Sequence, residues 1–161
     1  MTAPLSSLAG SDNYFEDFLP GDVYEHARGK TVTEMDNVLI TNLVMNTAQG
    51  HFNEHQMAQG PIGRRIVFGG VTASMIIGLA MQDTGENALR ELALDGIRFV
   101  TPVFHGDTLY AYTEVLEIAP SERDDAGIVR FRHIGLNQDG QRVFEGERRV
   151  LLKRRSHWAE R

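Results

Sequence analysis

The residues able to do chemistry gather in one stretch, Met45-Asn46-Thr47-Ala48-Gln49-Gly50-His51-Phe52-Asn53-Glu54-His55, just past an apolar periodic segment. Histidine is the side chain suited to moving protons near neutral pH, and loops held between rigid elements are where such residues act. Asn, Gln and Gly also end helices, so the stretch reads either as a site or as a cap. His51 and His55 with Glu54 between them match the H-x-x-E-H spacing of inverted zinc peptidases. That chemistry needs an unbroken helix from Gly50 and a third ligand from elsewhere, and no metal is expected.

A second feature is Val67-Phe68-Gly69-Gly70-Val71. If a helix starts at these glycines, its free N–H groups and its dipole can receive a developing negative charge, and glycine lets a substrate oxygen reach the backbone. The same glycines would equally serve a tight packing turn.

The elements that must hold these residues follow from periodicity. Val23 to Val32 reads as an opening strand. Thr33, with Asp36 three positions on, resembles a capping box, and Met35, Leu39, Leu43 and Val44 recur at helical spacing, so a helix is predicted to about Asn46. From the double glycine, Val71, Met75, Ile76, Leu79 and Ala80 predict a buried core helix, in which Gly70, Ala73, Ser74 and Gly78 would admit a neighbouring backbone. The second half alternates with period two. Strands are predicted over 92–104, 108–118, 128–137 and 142–154, with turns at 120–127 and at Asp139-Gly140. One strand, helices, then four strands make an α+β fold in which a curved antiparallel sheet wraps one long helix.

Composition narrows the function. The 161 residues, 42% hydrophobic and 24% charged, suit one domain, expected over 13–155 between a loose start (1–12) and a tail (156–161). With no cysteine, thiol catalysis and thiolate metal sites are excluded, and the cytoplasm is the expected compartment. No secretory leader or membrane span is read in the sequence. The net charge of −6 argues against nucleic acid as a partner. Charge is uneven, however: residues 141–161 carry seven basic and three acidic side chains, either an exposed arginine-rich face or a patch for a small polyanion.

Taken together, FEDFLPGD, MNT before HFN, GRRIVFGG, FVTPVFHGDTL and FEGERRVLLKR resemble the MaoC-like dehydratases, which include the (R)-specific enoyl-CoA hydratases, from about Tyr14 to Arg155. The resemblance implies a hot-dog fold and reversible hydration of a short 2-enoyl-CoA, with the coenzyme A thioester as substrate and no cofactor. It places His51 on the catalytic histidine and Gly69 on the glycine whose N–H binds the thioester carbonyl. Asn46 stands where that family usually has aspartate; an amide orients water but is not a base, and Glu54 is the nearby carboxylate able to substitute. Phe68, Gly70, Arg64 and Arg65 are the expected substrate contacts, the arginines for a free carboxylate as in mesaconyl-CoA or β-methylmalyl-CoA, or for cofactor phosphates. The alternatives are an acyl-CoA-binding protein of weak activity and a hot-dog thioesterase. A homodimer or higher homo-oligomer is expected, because a single unit leaves a sheet edge open.

Overall fold

The computed structural model describes residues 13–159, so the loose start expected over 1–12 lies outside the described residues. After a 3₁₀ turn at Phe15–Asp17, the chain forms β1 (Val23–Thr31), α1 (Glu34–Leu43), α2 (Gln49–Phe52), α3 (Glu54–Ala58) and α4 (Gly69–Thr84). Then follow β2 (Ala88–Phe99), β3 (Thr108–Pro120), β4 (Ala126–Leu136), β5 (Arg142–Lys153) and α5 (Arg155–Trp158), which starts at the last residue of the expected domain and runs into the expected tail. The five strands make one antiparallel sheet in the order β1-β3-β4-β5-β2, with α4 against its inner face. This is the hot-dog arrangement of the α+β class. Among the described residues no helix is long and apolar enough to cross a membrane.

Alternating side chains on β3, β4 and β5 build the inner face. One apolar cluster, including Val71, Ile76, Leu109 and Phe144, packs under most of α4. A second, including Phe18, Val115, Phe131 and Leu152, lies nearer the 3₁₀ turn. The sheet covers α4 on one side only, so Ser74 and Gly78 are exposed, and no neighbouring atom approaches Gly78. The close backbone contact expected at those two positions is not made.

The capping box on α1 forms as the sequence predicts: the Thr33 hydroxyl accepts from the Asp36 N–H, and the Asp36 carboxylate accepts from the Thr33 N–H. Lys30 adds a hydrogen bond at 2.9 Å that, with Thr33, holds the Asp36 carboxyl down at about 2. The helical spacing does not mark the buried face, however. Met35 and Leu43 are 66% and 73% exposed, whereas Asn37 and Thr41 are buried. The helix ends at Leu43, three residues before the predicted end, because Met45 takes a left-handed φ of 56° and the Asn46 N–H bonds back to the Thr41 carbonyl. Such a conformation costs a non-glycine residue about 1 kcal/mol.

Strand β2 also differs from its predicted span, starting at Ala88 and ending at Phe99. Past Phe99 the backbone turns away: the Val100 N–H still reaches the Val143 carbonyl, but Pro102 has no N–H to give, and the Val103 carbonyl accepts instead from the Val67 N–H. Much of the C-terminal basic stretch is paired: Arg148 is buried on Glu91, Arg149 meets Asp95, Arg154 meets Glu16 and Arg155 meets Asp17, while Lys153 lies over the Trp158 ring.

Candidate active site

Asn37 organises the site. Its side chain is fully buried in α1, where its Nδ2 donates to the His51 carbonyl at 3.1 Å and its Oδ1 accepts from the Phe68 N–H at 2.9 Å. One amide thereby fixes the helical turn that carries His51 against the residue that caps α4. Two backbone bonds complete the frame, from the Ile66 N–H to the Gly50 carbonyl and from the Val67 N–H to the Val103 carbonyl. Nothing local in the sequence marks Asn37, whose partners lie 14 and 31 residues away.

His51 sits on α2 with its Nδ1 3.0 Å from the Ile66 carbonyl oxygen. A carbonyl only accepts, so in the neutral ring Nδ1 carries the hydrogen and Nε2 keeps its lone pair. A backbone carbonyl thus orients the imidazole, the task a carboxylate performs in the aspartate–histidine pattern. The ring lies 5.5 Å from that of Phe68, and both line a cleft of about 510 Å³ with Gly69, Thr72, Phe99 and Val103.

Across that cleft, α4 begins without a side-chain cap. The Val71 and Thr72 N–H groups turn back to the Phe68 carbonyl, at 2.9 and 3.3 Å, so the Gly69 and Gly70 N–H groups are the donors left by the first turn. The two glycines differ in role. A Cβ on Gly69 would meet the Phe99 ring at 2.8 Å, inside the cleft, whereas one on Gly70 would meet the Phe68 ring at 2.4 Å, and Gly70 does not line the cleft. Phe99 is 55% exposed and its ring end can swing away, so Gly69→Ala is expected to change stability by less than about 1 kcal/mol. The displaced ring would fill the cleft, and turnover of a substrate bound there is expected to fall about tenfold or more. Paired denaturation and rate measurements on this variant check that split.

The remaining predicted contacts stand apart from the cleft. The Asn46 Oδ1 accepts from the Ala48 N–H at 3.1 Å and shapes the loop, and Asn46 is not on the cleft wall. Arg65 clamps α1 to α3 through Glu34 and Glu54. The hydrogen bond from Arg65 lowers the Glu54 carboxyl, so Glu54 is engaged there rather than beside His51. Arg64 lies over the Phe104 ring, 3.6 Å from its centre, with no carboxylate partner among the described residues. Asn53 ends α2 and caps α3, so His51 and His55 do not share a continuous helix. Among the described residues no group of three or more His, Asp or Glu side chains is arranged to hold a metal.

The sheet wrapped on one long helix is shared with solved MaoC-like dehydratases. The family described as mesaconyl-CoA hydratase matches residues 8–154, and the chain belongs to that family. It is 38% identical over 127 residues to a β-methylmalyl-CoA dehydratase of Chloroflexus aurantiacus, an alignment covering 78% of this chain and 36% of the relative. The (R)-specific enoyl-CoA hydratase of Rhodospirillum rubrum is 30% identical over 146 residues, covering 89% of this chain and 94% of that protein. A solved MaoC domain protein dehydratase from C. aurantiacus superposes with a TM-score of 0.85 at 32% identity, covering 96% of this chain and 49% of that one. The chain thus spans under half the length of the β-methylmalyl-CoA dehydratase and of the solved dehydratase.

Proposed function

We propose that the protein is an acyl-CoA hydratase/dehydratase that adds water reversibly to a short 2-enoyl-CoA. The observation that carries this reading is the His51 Nδ1 contact to the Ile66 carbonyl, which leaves Nε2 as the ring nitrogen for water in a cleft shared with the Gly69 N–H. Nε2 takes a proton from water as the oxygen attacks the β-carbon, and the electron pair of the double bond moves toward the thioester. The enolate-like oxygen is stabilised by the Gly69 N–H and the helix dipole. The imidazolium then returns the proton to the α-carbon, so one base completes the addition of H and OH. No cofactor enters, because coenzyme A arrives as part of the substrate.

The names of the matched relatives favour carboxylated acyl groups of the mesaconyl or β-methylmalyl kind. Of the two arginines, Arg64 rather than Arg65 is the one open to an anionic part of the substrate reaching past the cleft, such as a coenzyme A phosphate, since Arg65 is already held by two glutamates. A homodimer joined along edge strand β2 is proposed, a pairing that the exposed Leu92, Leu94 and Ile97 of that strand support. The cytoplasm, where free coenzyme A thioesters are turned over, is the proposed setting.

The test is turnover of crotonyl-CoA and mesaconyl-CoA, followed by loss of the conjugated thioester absorbance, with a thiol trap in parallel. Hydration with mesaconyl-CoA preferred is the expected result. Trapped free thiol would make the protein a thioesterase. Binding without turnover would favour an acyl-CoA-binding protein, a reading that gains from the absence of any carboxylate contact to His51 among the described residues.

A further inference from the structure

A row of buried polar side chains separates the two apolar clusters and crosses the sheet one strand at a time. On β1, the His26 Nδ1 lies 2.6 Å from Asp83 Oδ2 of α4, and its Nε2 lies 2.7 Å from the Thr113 hydroxyl of β3. That hydroxyl is 2.7 Å from Nδ1 of His133 on β4, whose Nε2 is 3.1 Å from Nη1 of Arg148 on β5. Arg148 also donates to Thr84 of α4 at 3.2 Å and, through Nε at 3.1 Å and Nη2, to both carboxylate oxygens of Glu91 on β2. His26, Asp83, Thr113, His133 and Arg148 are all buried; Glu91 alone reaches solvent. None of them lines the His51 cleft.

Donor and acceptor counting gives the row a direction. A guanidinium has no acceptor, so it donates to His133 Nε2, and the His133 Nδ1 must then carry the ring hydrogen. Thr113 accepts that hydrogen and has one of its own, which goes to His26 Nε2. The His26 Nδ1–H is left for the Asp83 carboxylate. Reversing any one member leaves two hydrogens or two lone pairs facing each other in a buried place, which is costly.

We infer that Asp83, His26, Thr113, His133, Arg148 and Glu91 form one directional hydrogen-bond chain, an acid-sensitive latch that clamps the C-terminal end of α4 to all five strands and opens when His133 takes a proton. A proton on His133 Nε2 would point at a guanidinium that cannot accept it. The charged and titratable groups facing His133 are Arg148 from β5 and His26 from β1, with Glu91 of β2 beyond Arg148 and Asp83 of α4 beyond His26. Burial first, then the Arg148 guanidinium, hold the His133 ring well below the usual histidine range. The unfolded chain therefore binds a proton below about pH 6.5 that the folded chain refuses, and stability falls as pH drops through that value. At the far end, the Asp83 Oδ1 is buried with no hydrogen-bond partner among the described residues, so His26 is the one side chain that steadies this carboxylate.

Two measurements on the intact chain test this. Nitrogen-15 spectra of the histidine rings at pH 7.5 should give His26 and His133 as neutral Nδ1–H tautomers with slowly exchanging ring hydrogens. An Nε2–H tautomer or a charged ring at His133 would overturn the chain's direction. Between pH 7.5 and 5.5, the refused proton should lower the folding equilibrium constant about tenfold. His133→Gln keeps an acceptor for Arg148 but cannot take a proton, and should lose that step. Equal pH slopes in the two proteins would overturn the latch. Thr113→Val should lower the folding constant about tenfold or more at pH 7.5 and shift both ring signals together; unchanged ring signals would show that the chain is not continuous. Should both variants fail to fold, the wild-type tautomers decide.

Discussion

If the proposed hydratase reading holds, His51→Ala is expected to keep the fold and to lower enoyl-thioester hydration by about 10²–10⁴-fold, the usual contribution of a general acid–base group. The expectation rests on two separable facts about the side chain. Its structural bond is a single one, from Nδ1–H to the Ile66 carbonyl, on a partly exposed ring, so truncation costs only about 1 kcal/mol of stability. Its chemical share is larger, because Nε2 is the ring nitrogen available to water and no carboxylate is placed to act in its stead: Glu54 is held by Arg65. The loss should fall on kcat, with KM for the proposed substrate nearly unchanged, since Gly69, Phe68 and Phe99 still line the cleft. A variant that keeps the wild-type rate would place water activation elsewhere.

Much of this frame is legible in the sequence where a signal is local. The Thr33–Asp36 box, the glycine start of α4 and the strands β3 to β5 each depend on neighbours within a few residues, and each appears in the structure. Signals that depend on distant partners are not legible. Met35, Leu39 and Leu43 mark a helix correctly, yet the buried residues are Asn37 and Thr41, with Ile40 against the core, because Asn37 finds both its hydrogen-bond partners in segments that reach it only after folding. Arg64 and Arg65 are adjacent and identical in type. Only the structure separates the one clamped by two carboxylates from the one resting on Phe104. His26, Thr113, His133 and Arg148 sit on four different strands, and their row exists only through the strand order.

The same distance effect makes Asn37 a sensitive position outside the cleft. Asn37→Leu is nearly isosteric but leaves the His51 carbonyl and the Phe68 N–H without the partner each has now, at about 1–3 kcal/mol for each group left unpaired, so a loss of about 2–6 kcal/mol is expected in denaturant unfolding. Turnover in the folded fraction should fall about tenfold to a hundredfold, because His51 and the α4 start are then no longer held in fixed relation. Asn37→Asp separates the two bonds. The new carboxylate can accept from the Phe68 N–H but meets the His51 carbonyl with an oxygen, so this variant should be unstable at pH 7. Protonating the carboxyl restores a donor toward that carbonyl, which raises its folded-state pKa above the ordinary 3.9 of aspartate; the stability this provides is full below that value and is lost as pH rises through the folded pKa. Relative to wild type, the aspartate variant should therefore regain stability as pH falls from 7 toward 4, whereas the leucine variant should not. Equal recovery of both would mean that the amide only fills space between α1 and the start of α4.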